Sequence, residues 1–210
     1  MRLGGERPKQ YLRIAGKPML WHAVRALCVP PVEAVFVVLA AGDAAFAGED
    51  WSAFEGRITP LYCGGGTRHE SVRNGLLAAE LDYDDWVLVH DAARPCLPVE
   101  DLRALVRECE NDAVGGILAL PAADTVKRAD AGRRIHGTED RTAIWLAQTP
   151  QMFRAGLLAE ALAKVQGTVT DEAAAIEALG LKPKLVAGSR RNIKVTFPED
   201  VAIAEALLSA

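Results

Sequence analysis

A chain of 210 residues is long enough to bury one sizeable α/β core. Half of its residues are hydrophobic, 6% are aromatic, 25% are charged and the formal charge is −4, which is globular composition without the basic stripe of a nucleic-acid binder. No apolar run reaches membrane-spanning length, and the opening MRLGGERPKQ has no apolar signal core, so neither a membrane nor a secretory route is expected.

Strand-like and helix-like segments alternate along the chain. PMLWHAVRALC (Pro18 to Cys28) has helical apolar spacing with proline at its opening. VEAVFVVLA (Val32 to Ala40) is rich in β-branched residues and apolar on both faces, as an interior parallel strand is. ITPLYC (Ile58 to Cys63) reads as a short strand whose Pro60 places it at an edge. RHESVRNGLLAAE (Arg68 to Glu80) follows as a helix, DWVLVHD (Asp85 to Asp91) as a strand and VEDLRALVRECE (Val99 to Glu110) as an amphipathic helix. After the apolar run AVGGILALP (Ala113 to Pro121) the pattern breaks. Residues 122–143 are polar and arginine-rich, too long for a simple connection, and TVKR and RRIH flank a turn as hairpin strands do. The helices RAGLLAEALAKV and TDEAAAIEALG then lead to strand-like PKLVAG and NIKVT and to a last helix opened by PEDVAIAEALL. This order predicts a single α/β domain, a Rossmann-like doubly wound and mainly parallel sheet with a projecting β-hairpin arm at about 122–143.

Ligands of such sheets bind beyond the carboxyl ends of the strands, and the unusual residues gather there. CGGGTRHESV (Cys63 to Val72) sets three glycines between a strand and a helix, with Arg68 and Ser71 in the first helical turns. Glycines admit a close ligand and a helix N-terminus offers free N–H groups to an anion, although a merely flexible turn has the same composition. In VLVHDAARP, a core-like strand runs into Asp91 and Arg94, which read either as a surface ion pair or as groups serving a ligand. Thr149 in AQTPQMF follows another apolar stretch, and Lys194 in NIKVT lies between Ile193 and Val195, where alternation alone would turn it to water. Arg2, Gly4, Gly5 and Lys9 precede the first helix; alone they read as a frayed basic tail, but PKQY followed by GKPML is too particular a combination for one. His69 and His90 have no partner cluster at metal-ligand spacing and read as structural histidines. The scattered cysteines Cys28, Cys63, Cys96 and Cys109 make no C-x-x-C pair and read as reduced thiols of a cytoplasmic protein.

In combination, R-L-G-x-x-x-P-K-Q-Y, G-K-P-M-L, G-G-x-x-R-x-x-S-V, H-D-A-A-R-P, D-T-V-K-R, T-P-Q-x-F, T-D-E and N-I-K-V-T, in this order from Arg2 almost to the C-terminus, resemble the 2-C-methyl-D-erythritol 4-phosphate cytidylyltransferases of the nonmevalonate isoprenoid pathway. The resemblance implies a sugar-nucleotidyltransferase fold, a homodimer formed through the arm, and Mg²⁺-dependent transfer of CMP from CTP to methylerythritol phosphate with release of pyrophosphate. It implies that Arg2, Lys9 and Lys194 are the catalytic cations, and that Lys9, Gly65, Arg68 and Ser71 receive CTP. It further implies that Asp91, Arg94, Thr125, Arg141, Thr149 and Lys194 bind the acceptor, Asp91 doubling as a metal ligand, directly or through water. A pentitol-phosphate cytidylyltransferase acting on ribitol 5-phosphate and a non-catalytic binding module are the alternatives. Members of the family open with an apolar strand and a P-A-A-G-x-G loop ahead of the arginine matched by Arg2. The expectation is therefore that the sequence as given lacks a central strand and most of a phosphate loop, through a start placed too late, a truncation or degeneracy, the first being favoured because every later motif is intact.

Overall fold

The computed structural model describes residues 8–165, 167 and 169–209. A 3-10 turn at Lys9–Tyr11 buries the Tyr11 ring and leads into a small antiparallel ribbon, β1 (Arg13–Ile14) and β2 (Lys17–Pro18). Helix α1 (Met19–Leu27) follows, burying Met19, Leu20, Ala23 and Val24 on one stripe. Then come β3 (Val35–Val38), β4 (Ile58–Leu61), α2 (Arg68–Ala78), β5 (Trp86–Val89) and α3 (Val99–Cys109). The second half holds β6 (Gly116–Pro121), the arm strands β7 (Lys127–Ala129) and β8 (Ile135–Thr138), β9 (Trp145–Arg154), α4 (Ala155–Lys164), α5 (Glu172–Glu177), β10 (Lys184–Ala187) and α6 (Glu199–Ser209).

The α/β fold expected from the alternation is present, with one strand the pattern does not reveal. The main sheet has the order β10-β6-β9-β5, with β10 parallel to β6 but β9 antiparallel to both of its neighbours. β9 escapes notice in the sequence because Gln148, Thr149, Pro150 and Gln151 interrupt its apolar alternation, and proline cannot donate to a ladder. The ladder accommodates them with a register shift: Ile117 pairs with Gln151 and Ala119 with Ala147, so three residues of β9 lie opposite Leu118 alone. Such bulges re-aim side chains, and here the re-aimed side chain is Thr149. NIKVT, read as strand-like, is extended but forms no assigned strand; its rung is the Val195 N–H donated to the Ala93 carbonyl at 2.8 Å.

Helices cover both faces of the main sheet. Leu102 and Leu105 of α3 pack with Leu118, Met152 and Val186 on one side. Leu158 of α4 and Ile176 of α5 pack with Ile117 and Phe153 on the other. β3 and β4 form a separate parallel pair, with β4 as the edge that Pro60 predicts. Among the described residues no strand joins β3 to β5. Between them runs a slot of about 880 Å³, lined by Leu20, Val24, Val35, Val37, Leu76 and Leu88 among others. At one end the slot reaches Arg68, Ser71, Asp91 and Lys194. The arm is the expected antiparallel hairpin, laced by Arg128 to Glu139 at 2.7 Å and by Lys127 to the Thr138 hydroxyl at 2.7 Å.

Candidate active site

The site is built where β5 ends. The Asp91–Arg94 turn closes with the Arg94 N–H on the Asp91 carbonyl at 2.9 Å. The Asp91 N–H donates to Thr149 Oγ1 at 3.0 Å, so the β9 bulge holds the backbone of the acid. Thr149 Oγ1 lies 3.0 Å from His90 Nδ1, and His90 Nε2 lies 3.0 Å from the Arg94 carbonyl. A carbonyl only accepts, so the ring proton sits on Nε2 and Nδ1 receives the Thr149 hydroxyl. Desolvation pushes His90 down to about 4, which keeps the ring neutral as this relay requires. His90 is thus the satisfied structural histidine the sequence predicts.

Asp91 is gripped by two cations. Arg68 Nε and Nη2 each lie 2.9 Å from Oδ1, and Lys194 Nζ lies 2.8 Å from Oδ2. Burial works to raise the pKa of Asp91, but Arg68 and Lys194 outweigh it and hold the carboxyl at about 2. Arg68 also donates from both terminal nitrogens to Glu172, a carboxylate with no exposed surface, Nη2 reaching Oε2 at 3.0 Å. Burial opposes the charge on Arg68, yet Glu172 and Asp91 more than compensate and raise its pKa further.

The segment carrying Lys194 is pinned from three directions. Buried Arg94 donates from Nη1 to the Asn192 carbonyl at 2.6 Å and from Nη2 to the Ala147 carbonyl at 3.4 Å. Asn192, itself fully buried, donates from Nδ2 to the Thr149 carbonyl at 2.8 Å. Val195 is buried against the Ala93 rung, so alternation turns Lys194 outward, where it meets Asp91 and not bulk water alone.

The glycine turn lies alongside. Thr67 caps α2 in a capping box: its hydroxyl accepts the Glu70 N–H at 3.3 Å and its own N–H reaches Glu70 Oε2 at 3.0 Å. Ser71 ties the turn to the helix, accepting the Gly65 N–H at 3.0 Å and donating to the Thr67 carbonyl at 2.9 Å. A Cβ on Gly65 would sit 2.5 Å from Glu70 Cβ, so the turn folds back this tightly only as glycine.

A rigid acid between two cations, at a sheet's carboxyl edge and beside a glycine turn, is suited to polyanion chemistry. The family model for IspD, 2-C-methyl-D-erythritol 4-phosphate cytidylyltransferase, matches residues 1–210. The chain belongs to this cytidylyltransferase family. It is 54% identical to the enzyme of that name from Nitrosospira multiformis over 213 residues, covering 99% of this chain and 92% of that one. It is 56% identical to the one from Dechloromonas aromatica over 212 residues, covering 100% and 92%. A crystal structure of a 4-diphosphocytidyl-2C-methyl-D-erythritol synthase superimposes with a TM-score of 0.87 at 44% identity, over 95% of this chain and 94% of that one. The cytidylyltransferase from Thermus thermophilus does so with a TM-score of 0.81 at 31% identity, over 97% and 94%.

Of the residues the sequence singles out for a cytidylyltransferase, the fold gathers Arg68, Asp91, Arg94, Thr149 and Lys194 into one connected cluster, with Gly65 and Ser71 at its side. Lys9 stands near α6, where its charge helps lower Asp200, the carboxylate that accepts the Thr196 and Phe197 N–H groups. Arg2 lies outside the described residues. Thr125 and Arg141 are on the exposed arm; Arg141 donates to the Ala123 carbonyl, and no hydrogen bond or ion pair among the described residues links either to Asp91. Glu172 and Asn192 are the members that sequence reasoning misses. Their signals are T-D-E and the first residue of N-I-K-V-T, motifs in which the residue pattern alone gives neither side chain a role.

Proposed function

We infer that this chain transfers CMP from CTP to 2-C-methyl-D-erythritol 4-phosphate, giving 4-diphosphocytidyl-2-C-methyl-D-erythritol and pyrophosphate. The observation that carries the reading is the Lys194–Asp91 pair, 2.8 Å apart at the carboxyl end of β5 in a chain that this family matches over its whole length. The relatives favour neither ribitol 5-phosphate as the acceptor nor a module without activity.

The attacking atom is a phosphate oxygen of the acceptor, already ionised near neutral pH, so no general base is needed. It forms a bond to the α-phosphorus while the bond from that phosphorus to the bridging oxygen breaks, and pyrophosphate leaves with the electron pair. The obstacle is anion meeting anion: at ~4 Å each unit-charge pair repels by about 4 kcal/mol at an effective dielectric of about 20. Lys9 and Lys194 offset that repulsion, with Arg2 assigned to the same work by the resemblance. Lys194 faces the acceptor phosphate, and Thr149 and Arg94 support it by fixing Asp91 and the Asn192 segment. Gly65 and Ser71 shape the wall for the nucleotide, and Arg68 orients Asp91.

Mg²⁺ is proposed as the cofactor. Such ions are commonly held by one or two carboxylates together with substrate phosphates, and among the described residues no three His, Cys, Asp or Glu side chains gather into a protein-only cage. Arg68 occupies Oδ1 of Asp91 and Lys194 occupies Oδ2, so the ion would be carried largely by the nucleotide and Asp91 would hold it through water. When bound, it neutralises charge on the phosphates.

The arm is proposed to dimerise, Thr125 and Arg141 of one subunit completing the acceptor site of the other. In support, β7 is wholly exposed and β8 nearly so, with Ile135 69% and Leu146 56% exposed, and a lone two-stranded hairpin is marginal in water. A cytoplasmic setting is consistent with four free thiols. No helix among the described residues is long and apolar enough to cross a membrane.

The test is pyrophosphate release with CTP, Mg²⁺ and either methylerythritol phosphate or ribitol 5-phosphate. Release with the first alone supports the reading. Preference for ribitol 5-phosphate, or silence with both acceptors, overturns it.

A further inference from the structure

The T-D-E motif brings a fully buried carboxylate, Glu172, to the back of the Arg68 guanidinium, where the mechanism gives it no task. Its position is over-determined. Asp171 caps α5 by accepting the Ala174 N–H at 3.0 Å, and buried Gln151 holds both sides of the turn, donating to Asp171 at 2.9 Å and accepting the Ala173 N–H at 2.8 Å. Glu172 cannot follow Arg68 if the arginine moves; Arg68 must come to it.

This matters for what Arg68 leaves to others. A guanidinium prefers to take both oxygens of a carboxylate with its parallel donors. Here that fork is given to Glu172, and Asp91 receives only Nε and a shared Nη2, both on Oδ1. Asp91 Oδ2 is thereby left to Lys194 at 2.8 Å. The four groups form a chain of alternating charge, Glu172–Arg68–Asp91–Lys194, buried at one end and half-exposed at the other.

We propose that Glu172 is a positioning residue that holds Arg68 off the second oxygen of Asp91 and so fixes the Lys194 ammonium at the acceptor-phosphate side of the pocket. The kinetic part of this inference rests on the cytidylyl-transfer reading above; the geometric part does not.

Two variants of the full chain test it. Glu172→Gln keeps the shape but removes the charge, freeing Arg68 to take both oxygens of Asp91. Glu172→Asp keeps the charge on a shorter stem. The first readout needs no substrate: competitive acetylation of Lys194 relative to the other lysines, measured by mass spectrometry. Labelling of Lys194 is expected to rise severalfold in Glu172→Gln and to a smaller extent in Glu172→Asp, so the milder variant carries the test if the amide fails to fold. The second readout is steady-state kinetics. The KM for methylerythritol phosphate should rise roughly tenfold in Glu172→Gln, as expected for one displaced charge-assisted contact, with the KM for CTP within about twofold and partial rescue in Glu172→Asp. Unchanged Lys194 labelling in both variants overturns the proposal. So does a fall in kcat that follows the folded fraction while both KM values stay fixed, since that is the mark of a residue that only holds the fold. If the wild-type chain releases no pyrophosphate, the catalytic reading falls and the labelling still decides the place of Glu172.

Discussion

His90 and Thr149 share a hydrogen bond of 3.0 Å whose direction is set by their other partners, and through it a buried ring governs where Asp91 sits. The ring works only when neutral, which gives stability a pH dependence of known sign. Above about 6.5, the ordinary histidine value, folded and unfolded chains are both neutral here and the contribution is complete. Below it the unfolded chain takes a proton that the folded chain refuses until about 4. Stability should therefore fall by up to ~1.4 kcal/mol per pH unit across that window. His22, also pushed down by burial, adds in the same direction. Thermal melts from pH 7.5 to 4 should show a clear decline in the wild type and a shallower one in His90→Gln.

Asp91 behaves differently, because its carboxyl is held at about 2. It stays ionised throughout the working range, and its own contribution to stability is lost only as pH falls from 3.8 towards 2. The acidic limb of kcat/KM should then belong to the acceptor phosphate, whose second ionisation lies near 6. A limb centred well below 5 would assign it to the protein instead.

Lys194→Met removes one cation from the reacting phosphates. By analogy with the loss of a single oxyanion donor, kcat/KM should drop roughly 10²- to 10³-fold. Lys194 is half-exposed and Asp91 keeps its pairing with Arg68 when the lysine is gone, so the melting temperature should move far less than the activity. A drop of less than tenfold would remove Lys194 from the catalytic set.

Gly65→Ala sets a methyl against Glu70 Cβ at 2.5 Å inside the capping box. Overpacking of this kind costs ~1–3 kcal/mol, and the turn must lift from α2 to relieve it. Weaker CTP binding by calorimetry, with the affinity for methylerythritol phosphate retained, is the expected pattern.

The arm supplies a prediction about assembly. If the arm dimerises as proposed, charging exposed apolar residues on it and in the adjoining end of β9, as in Ile135→Glu with Leu146→Glu, should shift sedimentation from dimer to monomer and abolish most activity. Sedimentation unchanged by these substitutions would place any subunit contact elsewhere.

How much of this was legible in the residues depends on the range of the interaction. Helices α1 to α4, strand β5 and the hairpin follow from periodicity and turn residues, which act locally. Strand β9 did not, because its polar centre is justified only by what the bulge reaches across the sheet, namely Asp91 and Asn192. Arg94 shows the same limit. Its charge at the end of a strand marks it as special, but only the fold reveals that its terminal nitrogens go to the carbonyls of Asn192 and Ala147. Glu172 was invisible for the opposite reason: an acid at a helix start is ordinary in sequence, and its significance is a partner 104 positions away.

The tethering of the Lys194 segment has a consequence for its motion. Arg94 donates to the Asn192 and Ala147 carbonyls, Asn192 donates to the Thr149 carbonyl, and the buried Val195 gives its amide to the Ala93 carbonyl at 2.8 Å. A connection held this way opens only when the sheet beneath it opens. The Val195 amide should therefore exchange with deuterium as slowly as the amides of β9, whereas an untethered loop would exchange long before them.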